Sequence, residues 1–352
     1  MVGYTTISYE ELRVLAVQSL EKAGVPSHDA FTVADILCMA DLMGIDTHGT
    51  KRLIPYIARI HDGIFNPIPA LRIVQQKAGS AVIDGDNGLG PLVGSKAFQI
   101  AFELVAENGV AFVCCRNSQH FGAIAPYLQM ACDRELVSFV GTNAYPTMAP
   151  WGGKESKVGN NPLGFGAPRR SGPHFILDIA MSIVARSKIR KSQERNESIP
   201  EGWAVDEQGV PTTDPSEALN GFVLPIGGHK GYGIALAVDI LAGVLSGGAV
   251  ADEVNSLFKQ KVNPQRVGHF FIVIDPKVTI GLELYYERME ALCAAMKSCR
   301  SQDGDTSILL PGEIEADKAE KYRQSGVPIE NDFLTSLRHL AEGEVPKNVP
   351  QA

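Results

Sequence analysis

Apolar residues recur at helical spacing near both ends of the chain and in short strand-like runs between them. Ser8-Tyr-Glu-Glu11 reads as a capping box. Leu12, Leu15, Ala16, Leu20 and Ala23 then mark one helix face, and Gly24 closes it. Pro26-Ser27 opens a second helix with Ala30, Val33, Ala34 and Leu37 on its apolar face, and a third is predicted from about Thr50 to Ile60. From about residue 71 the pattern alternates. Strands are predicted at 71–74, 81–84, 110–115, 136–141, 175–178 and 269–274, with helices at 90–107 and 123–132. Residues 143–173 read as a long structured loop and residues 190–222 as a polar excursion. The apolar stretch Gly231–Val250 contains Asp239 and several glycines, so it reads as a buried helix rather than a membrane span. Helices return near 281–298, 313–325 and 330–341, and these are expected to pack back onto the N-terminal helices. The layout is that of a layered α/β protein.

Composition narrows the function classes. The chain has 352 residues, a formal net charge of -8 and no Lys/Arg-rich block, which argues against nucleic acid or a membrane surface as partner. The six cysteines form no Cys-x-x-Cys pair and read as reduced thiols of a cytoplasmic protein; the start, MVGYTTISYEELRVL, lacks a signal-peptide pattern. No His-Glu-x-x-His or cysteine cluster occurs, so no metal is expected.

The chemistry-bearing run is Asp46-Thr47-His48-Gly49-Thr50-Lys51-Arg52. On a helix, His48 and Arg52 would share one face. A guanidinium there would grip a carboxylate with two hydrogen bonds, and the imidazole would exchange a proton with the neighbouring oxygen. The same spacing suits a solvated helix face. Asp84-Gly-Asp-Asn-Gly88-Leu-Gly90 reads as a glycine-rich turn into a helix, not a Rossmann fingerprint. Asn117-Ser-Gln-His120-Phe-Gly122 leads into a helix whose first amides suit a phosphate or a carboxylate, or else His120 caps a buried turn. Asn143, Asn160 and Asn161 offer amides in the long loop, where turn structure alone also explains them. Asp178, Arg186 and Lys188 follow a strand end, where ligands bind in layered α/β proteins; a solvated connection is the plainer reading. Gly227-Gly-His229-Lys230-Gly231 opens a helix and suits a phosphate; a tight packing turn is the plainer reading, but it does not explain the His and Lys.

In order along the chain, these blocks resemble the malate/L-lactate dehydrogenase family, which lacks a Rossmann fold. They run from Asp46–Arg52 through His120-Phe-Gly122, Met148-Ala-Pro-Trp-Gly-Gly153, Asn160-Asn-Pro162, Leu177-Asp-Ile-Ala180, Gly202-Trp203, Thr213-Asp-Pro215, Gly227–Gly233 and Gly268-His-Phe-Phe271 to Pro311-Gly-Glu313. The resemblance implies an α/β, L-sulfolactate-dehydrogenase-like fold with a central mostly antiparallel or mixed sheet. It implies a helical substrate and dimerisation domain from residues 1–75 plus about 300–352, and a sheet domain, 76–299, that binds NAD or NADP. It further implies a homodimer acting on a small carboxylate, a 2-oxoacid or 2-hydroxyacid. A cyclic or N-alkyl imino acid, or a catalytically silent anion-binding homologue, stands as the alternative.

By position, the resemblance makes His48 the proton donor and acceptor, with Thr47 beside it, and Arg52 the carboxylate anchor. In the ureidoglycolate branch the position of His120 takes the acid/base role, so the two histidines compete. Lys188 stands where another branch has a catalytic Asp. Asn160, Arg186 and Ser187 would line the substrate. Cofactor contacts would come from His120, Phe121, Gly122, Ala123, Ile124, Ala125, Asp178, Ile179, Ala180, His229, Lys230, Asp305, Thr306, Ser307, Ile308, Leu309, Leu310 and Pro311. Met181, Asn160 and Ser187 depart from the usual residues, and those departures are expected to lie on the substrate side.

Overall fold

A computed structural model describes residues 3–258, 263–302, 304 and 307–345. The N-terminal part comprises β1 (Tyr4–Ile7), α1 (Tyr9–Lys22) and α2 (Ser27–Leu42). Two short 3-10 turns follow, Asp46–His48 and Thr50–Arg52, then α3 (Leu53–His61). Ser8 caps α1 by accepting the Glu11 amide at 3.0 Å, as the capping pattern predicts.

The middle of the chain begins with β2 (Arg72–Lys77), β3 (Ser80–Asp84), α4 (Gly90–Asn108), β4 (Val110–Ser118), α5 (Ala125–Cys132) and β5 (Val137–Thr142). It continues through β6 (Pro146–Met148), β7 (Val158–Gly159), β8 (Leu163–Ala167), β9 (Phe175–Ile179) and α6 (Arg186–Glu194). Then come β10 (Ala204–Val205), β11 (Pro211–Thr212), α7 (Pro215–Asn220), β12 (Phe222–Val223), α8 (His229–Asp239) and β13 (Val267–Ile274). The last elements are α9 (Leu282–Lys297), α10 (Glu313–Ser325), β14 (Val327–Glu330) and α11 (Asn331–Glu342).

The main sheet has seven strands in the order β2-β3-β4-β13-β5-β8-β9. Only β3 and β4 pair in parallel, joined through α4; the other neighbours are antiparallel. This is the mixed, mostly antiparallel sheet the family resemblance implies. The core lies between the sheet and its helices, with Phe98, Phe121, Tyr127 and Phe271 fully buried there. At the far end of the chain, β14 pairs antiparallel with β1, Tyr4 opposite Glu330 and Ile7 opposite Val327.

Four expectations change. The stretch 143–173 is not a loop throughout, because β8 is an inner strand of the main sheet. Its glycines hid it: a Cβ on Gly164 would stand 2.4 Å from Ile124 Cγ2, so α5 packs on a strand with no side chain there. The stretch 190–222 holds a three-stranded sheet, β11-β10-β12, with α7. The apolar stretch after Gly231 is not a buried helix: Ile234, Ile240 and Val244 are 43%, 52% and 58% exposed. The helix predicted over 50–60 begins at Leu53, and two 3-10 turns precede it. Gly49, between those turns, adopts φ -89 and ψ -149, which no α-helix accommodates.

Candidate active site

The turn that carries His48 and Arg52 is built on a buried acid. Asp41, near the end of α2, is 5% exposed and accepts hydrogen bonds from the Thr50 amide (2.8 Å) and hydroxyl (2.5 Å). Burial pushes its carboxyl up to about 7, against the lowering effect of the Thr50 bonds. His48 and Arg52 therefore come together through a kinked turn rather than along one helical face. Arg52 is the N-cap of α3, and its Nε donates to Thr47 O at 2.7 Å.

His48 meets His120 across this turn. Their rings stack with centroids 5.4 Å apart and planes 24° apart. Thr47 Oγ1 lies 3.0 Å from His48 Nδ1. Around His120, the Tyr56 hydroxyl stands 2.6 Å from Nδ1 and 2.8 Å from the backbone carbonyl. The His120 amide donates to Gln265 Oε1 at 3.0 Å, and the Gly122 amide points at Nδ1 from 3.4 Å. With that amide directed at Nδ1, the network assigns the ring proton to Nε2. Neither Tyr56 nor Gln265 was singled out in the sequence. Tyr56 was within reach, since it follows Arg52 at helical spacing; nothing local marks Gln265, which arrives from the loop before β13.

The electrostatics favour neutral rings. Burial, and then the Arg52 charge, push His48 down to about 3, and the same two causes hold His120 well below the usual imidazole range. Burial also disfavours the Arg52 cation. Among the described residues Arg52 makes no ion pair, and the Asp46 carboxylate acts on it only at longer range, so the site presents a positive charge without a contacting counter-ion.

The strip that follows His120 is backed by a second histidine. His269, fully buried, stacks on Phe121 with centroids 4.2 Å apart and planes 10° apart. Thr142 donates to the carbonyls of Asn143 (2.9 Å) and Gly268 (3.0 Å), so it accepts from His269 Nδ1 at 2.8 Å. Ser118 Oγ then faces Nε2 at 2.8 Å as donor. The side chains of Phe121, Ala123, Ile124 and Ala125 are buried, so this strip offers a ligand its backbone. Gly122, at φ +83, needs no side chain; a Cβ there would stand 3.5 Å from His48 O. The amides of Ile124 and Ala125 are already taken by Asp178 Oδ2, at 2.9 and 3.0 Å. The anion expected at that helix start is thus an internal carboxylate.

The remaining predicted residues lie elsewhere. His229 and Lys230 are exposed at the start of α8, with Trp151 against the His229 ring at 5.8 Å. Ile308, Leu309 and Leu310 run to Pro311, whose carbonyl accepts the Ile176 amide at 3.0 Å beside β9; Ser307 is exposed, and Asp305 and Thr306 fall outside the described residues. Ile179 and Ala180 are half-buried at the end of β9. The Arg186 guanidinium donates to Leu219 O and, at 3.4 Å, to Gly221 O. Lys188 is exposed over Trp203, 5.0 Å from the ring centroid. Among the described residues no hydrogen bond, ion pair or ring contact joins Arg186, Ser187 or Lys188 to the histidine pair. Asn160 is half-buried and its carbonyl accepts the Met181 amide at 2.8 Å. Asn143 and Asn161 serve structure, bonding Ala249 O and Ala235 O at 2.8 Å each. Met181 is fully buried with Met148 and Ile189, so that departure belongs to a core and not to the substrate side. No group of three or more His, Cys, Asp or Glu among the described residues is placed to hold a metal ion.

Comparison with known proteins agrees with this architecture. The malate/L-lactate dehydrogenase family model matches residues 7–338. The L-sulfolactate dehydrogenase of Methanocaldococcus jannaschii is 39% identical over 334 residues, 94% of this chain and 95% of that protein. The malate dehydrogenase of Pyrococcus horikoshii is 37% identical over 348 residues, covering 97% and 96%. The solved structure of the M. jannaschii sulfolactate dehydrogenase superposes with a TM-score of 0.89 at 36% identity, covering 96% of this chain and 97% of that one. The chain belongs to the malate/L-lactate dehydrogenase family. It is an oxidoreductase, a dehydrogenase with that family's non-Rossmann fold.

Proposed function

We infer that the protein transfers a hydride between a nicotinamide cofactor, NAD or NADP, and a small 2-oxoacid or 2-hydroxyacid. The observation that carries this reading is an Arg52 guanidinium with no ion pair among the described residues, close to two stacked imidazoles that burial and its own charge hold toward the neutral form. A carboxylate supplies the missing charge, and the oxygen on its neighbouring carbon then falls to the histidines. The residues present suit a dinucleotide. His229 and Lys230 are exposed at a helix start, with no ion pair among the described residues, and the backbone at Phe121–Gly122 runs beside His48. Those segments, with Asp178–Ala180 and 305–311, would hold it. When bound, the nicotinamide supplies the hydride to the substrate carbon or takes it away.

The chain's own residues do the rest. Arg52 fixes the carboxylate and so orients the carbonyl or hydroxyl. His120, with its proton on Nε2, donates a hydrogen bond to the substrate oxygen. His48 moves the proton, because Thr47 beside its Nδ1 is a hydroxyl that can donate or accept. Neutral His48 is ready as the base for oxidation. For reduction it must gain a proton, and a carboxylate on Arg52 assists by offsetting the charge that lowers its affinity.

The exposed apolar strip of Ile234, Ile240 and Val244 is suited to a second copy of the chain, as in the homodimer the family implies. Asn160, Arg186, Ser187 and Lys188 would line the rest of the substrate. The division into a helical unit bearing the His48–Arg52 turn and a sheet unit bearing the cofactor strip belongs to the same reading. Among the described residues no helix is long and apolar enough to cross a membrane, and the cysteines are free, in keeping with a cytoplasmic, reducing setting. The test is NADH and NADPH oxidation with pyruvate, oxaloacetate, sulfopyruvate and piperideine-2-carboxylate. Turnover of a 2-oxoacid is expected. Turnover of the imine alone would move the substrate class, and binding of NADH without turnover of any of them would sink the reading.

A further inference from the structure

Arg52 has a cover that comes from far along the chain. The Arg52 guanidinium lies over the Phe258 ring, with Cζ 5.7 Å from the ring centroid. Phe258 sits in the loop between α8 and β13, and that loop is pinned one residue before it. Arg59, in α3 and 6% exposed, donates to Leu257 O from Nε at 3.0 Å and from Nη2 at 2.6 Å. Leu257 itself is buried. Placing a guanidinium there is unfavourable, and burial lowers its proton affinity. A well-packed apolar side chain would fill such a site at less cost. What Arg59 provides instead is a fixed position for one backbone carbonyl, and with it the ring next door. Arg52 and Arg59 stand two turns apart at the start and within α3, so one helix sets both the cation and its cover.

We propose that Phe258 completes the carboxylate anchor of the site and that Arg59 is the positioning residue that seats it. The ring sits at cation–π distance from the Arg52 guanidinium, sheds water from that side and limits how far it can swing. A carboxylate then approaches the in-plane edge, with the two terminal nitrogens in the geometry of a bidentate pair. Thr47 O, on Nε, fixes the opposite edge. The substrate class this favours is a compact carboxylate bound through one guanidinium edge. The inference rests on the reading of Arg52 as carboxylate anchor.

The test is steady-state kinetics with the best 2-oxoacid, alongside NADH affinity by fluorescence. Phe258→Ala is expected to raise KM about tenfold, the size of one desolvated cation–π contact, with kcat and NADH affinity nearly unchanged. Phe258→Tyr and Phe258→Trp should restore KM, because a ring returns to the guanidinium. Arg59→Met should raise KM in the same way, and the Phe258→Ala, Arg59→Met double variant should be no worse than Phe258→Ala alone. Wild-type KM in Phe258→Ala, or full additivity in the double variant, overturns the inference. Arg52→Lys, measured in parallel, separates the two levels. A raised KM there with a normal Phe258→Ala overturns this inference only, whereas a normal KM in both overturns the anchor reading itself.

Discussion

Asp41 and Gly49 are in such close approach that a Cβ on Gly49 would stand 1.9 Å from Asp41 Oδ1. The acid holds Thr50, the glycine lets it come near, and the kink places His48 and Arg52 on one side. Gly49→Ala should therefore displace the turn and lower kcat/KM by at least ~100-fold, the effect of moving catalytic groups by about an ångström. NADH affinity should stay within a few-fold. Kinetics and fluorescence titration check this, and near-normal kcat/KM would show that the turn tolerates the shift.

His48→Ala should reduce kcat by about 10²–10⁴, the range for a lost general acid or base, while NADH still binds. His120→Ala should cost less in kcat and more in KM, since its role is a hydrogen bond to the substrate oxygen. The reverse ranking would hand the proton transfer to His120.

Arg52→Lys should mainly raise KM for carboxylates, by about ten- to a hundred-fold, because an ammonium cannot offer two parallel donors. An unchanged KM removes Arg52 from the substrate.

The neutral state of His48 can be read directly. Its ring resonances should not titrate between pH 8 and 5, because its proton affinity is pushed down to about 3 by burial and by Arg52. Arg52→Gln removes one of those causes, so the His48 midpoint should move upward. Titration of wild-type His48 near the ordinary imidazole value would contradict the site's electrostatics.

His269 makes a stability prediction with a definite sign. Its folded-state value, about 3, lies below the ordinary 6.5, so its neutral form stabilises the fold above pH 6.5. That contribution is lost as pH falls from 6.5 toward 3, at about 1.4 kcal/mol per pH unit. His269→Gln removes the titrating group. The stability gap between wild type and variant should therefore narrow between pH 6.5 and pH 4 in urea unfolding. A gap constant over that range would place the His269 proton affinity near its unfolded value.

Much of the fold could be read from periodicity. The helices near 281–298, 313–325 and 330–341 correspond to α9, α10 and α11 within a residue or two, with glycines at their bounds: Gly281 before α9, Gly312 and Gly326 around α10, and Gly343 after α11. β8 was hidden because Gly164 and Gly166 make room for α5, a reason that exists only in three dimensions. The exposed apolar strip after Gly231 misled for a related reason, since hydropathy does not say which surface covers it. At the site, residue types pointed to His48, Arg52 and His120, but not to the kink that joins them. Asp41, Tyr56, Gln265 and Phe258 arrive from other elements, and their roles come from packing rather than from any local pattern.

The pairing of β1 with β14 has a consequence for synthesis. Lys51, inside the turn between His48 and Arg52, also pairs with Glu330 at 2.9 Å. A ribosome makes that turn before its neighbour in β14, which emerges only after nearly three hundred further residues. Contacts so distant in sequence close slowly. The reacting turn would thus be translated long before it is braced, which would delay activity until β14 has docked.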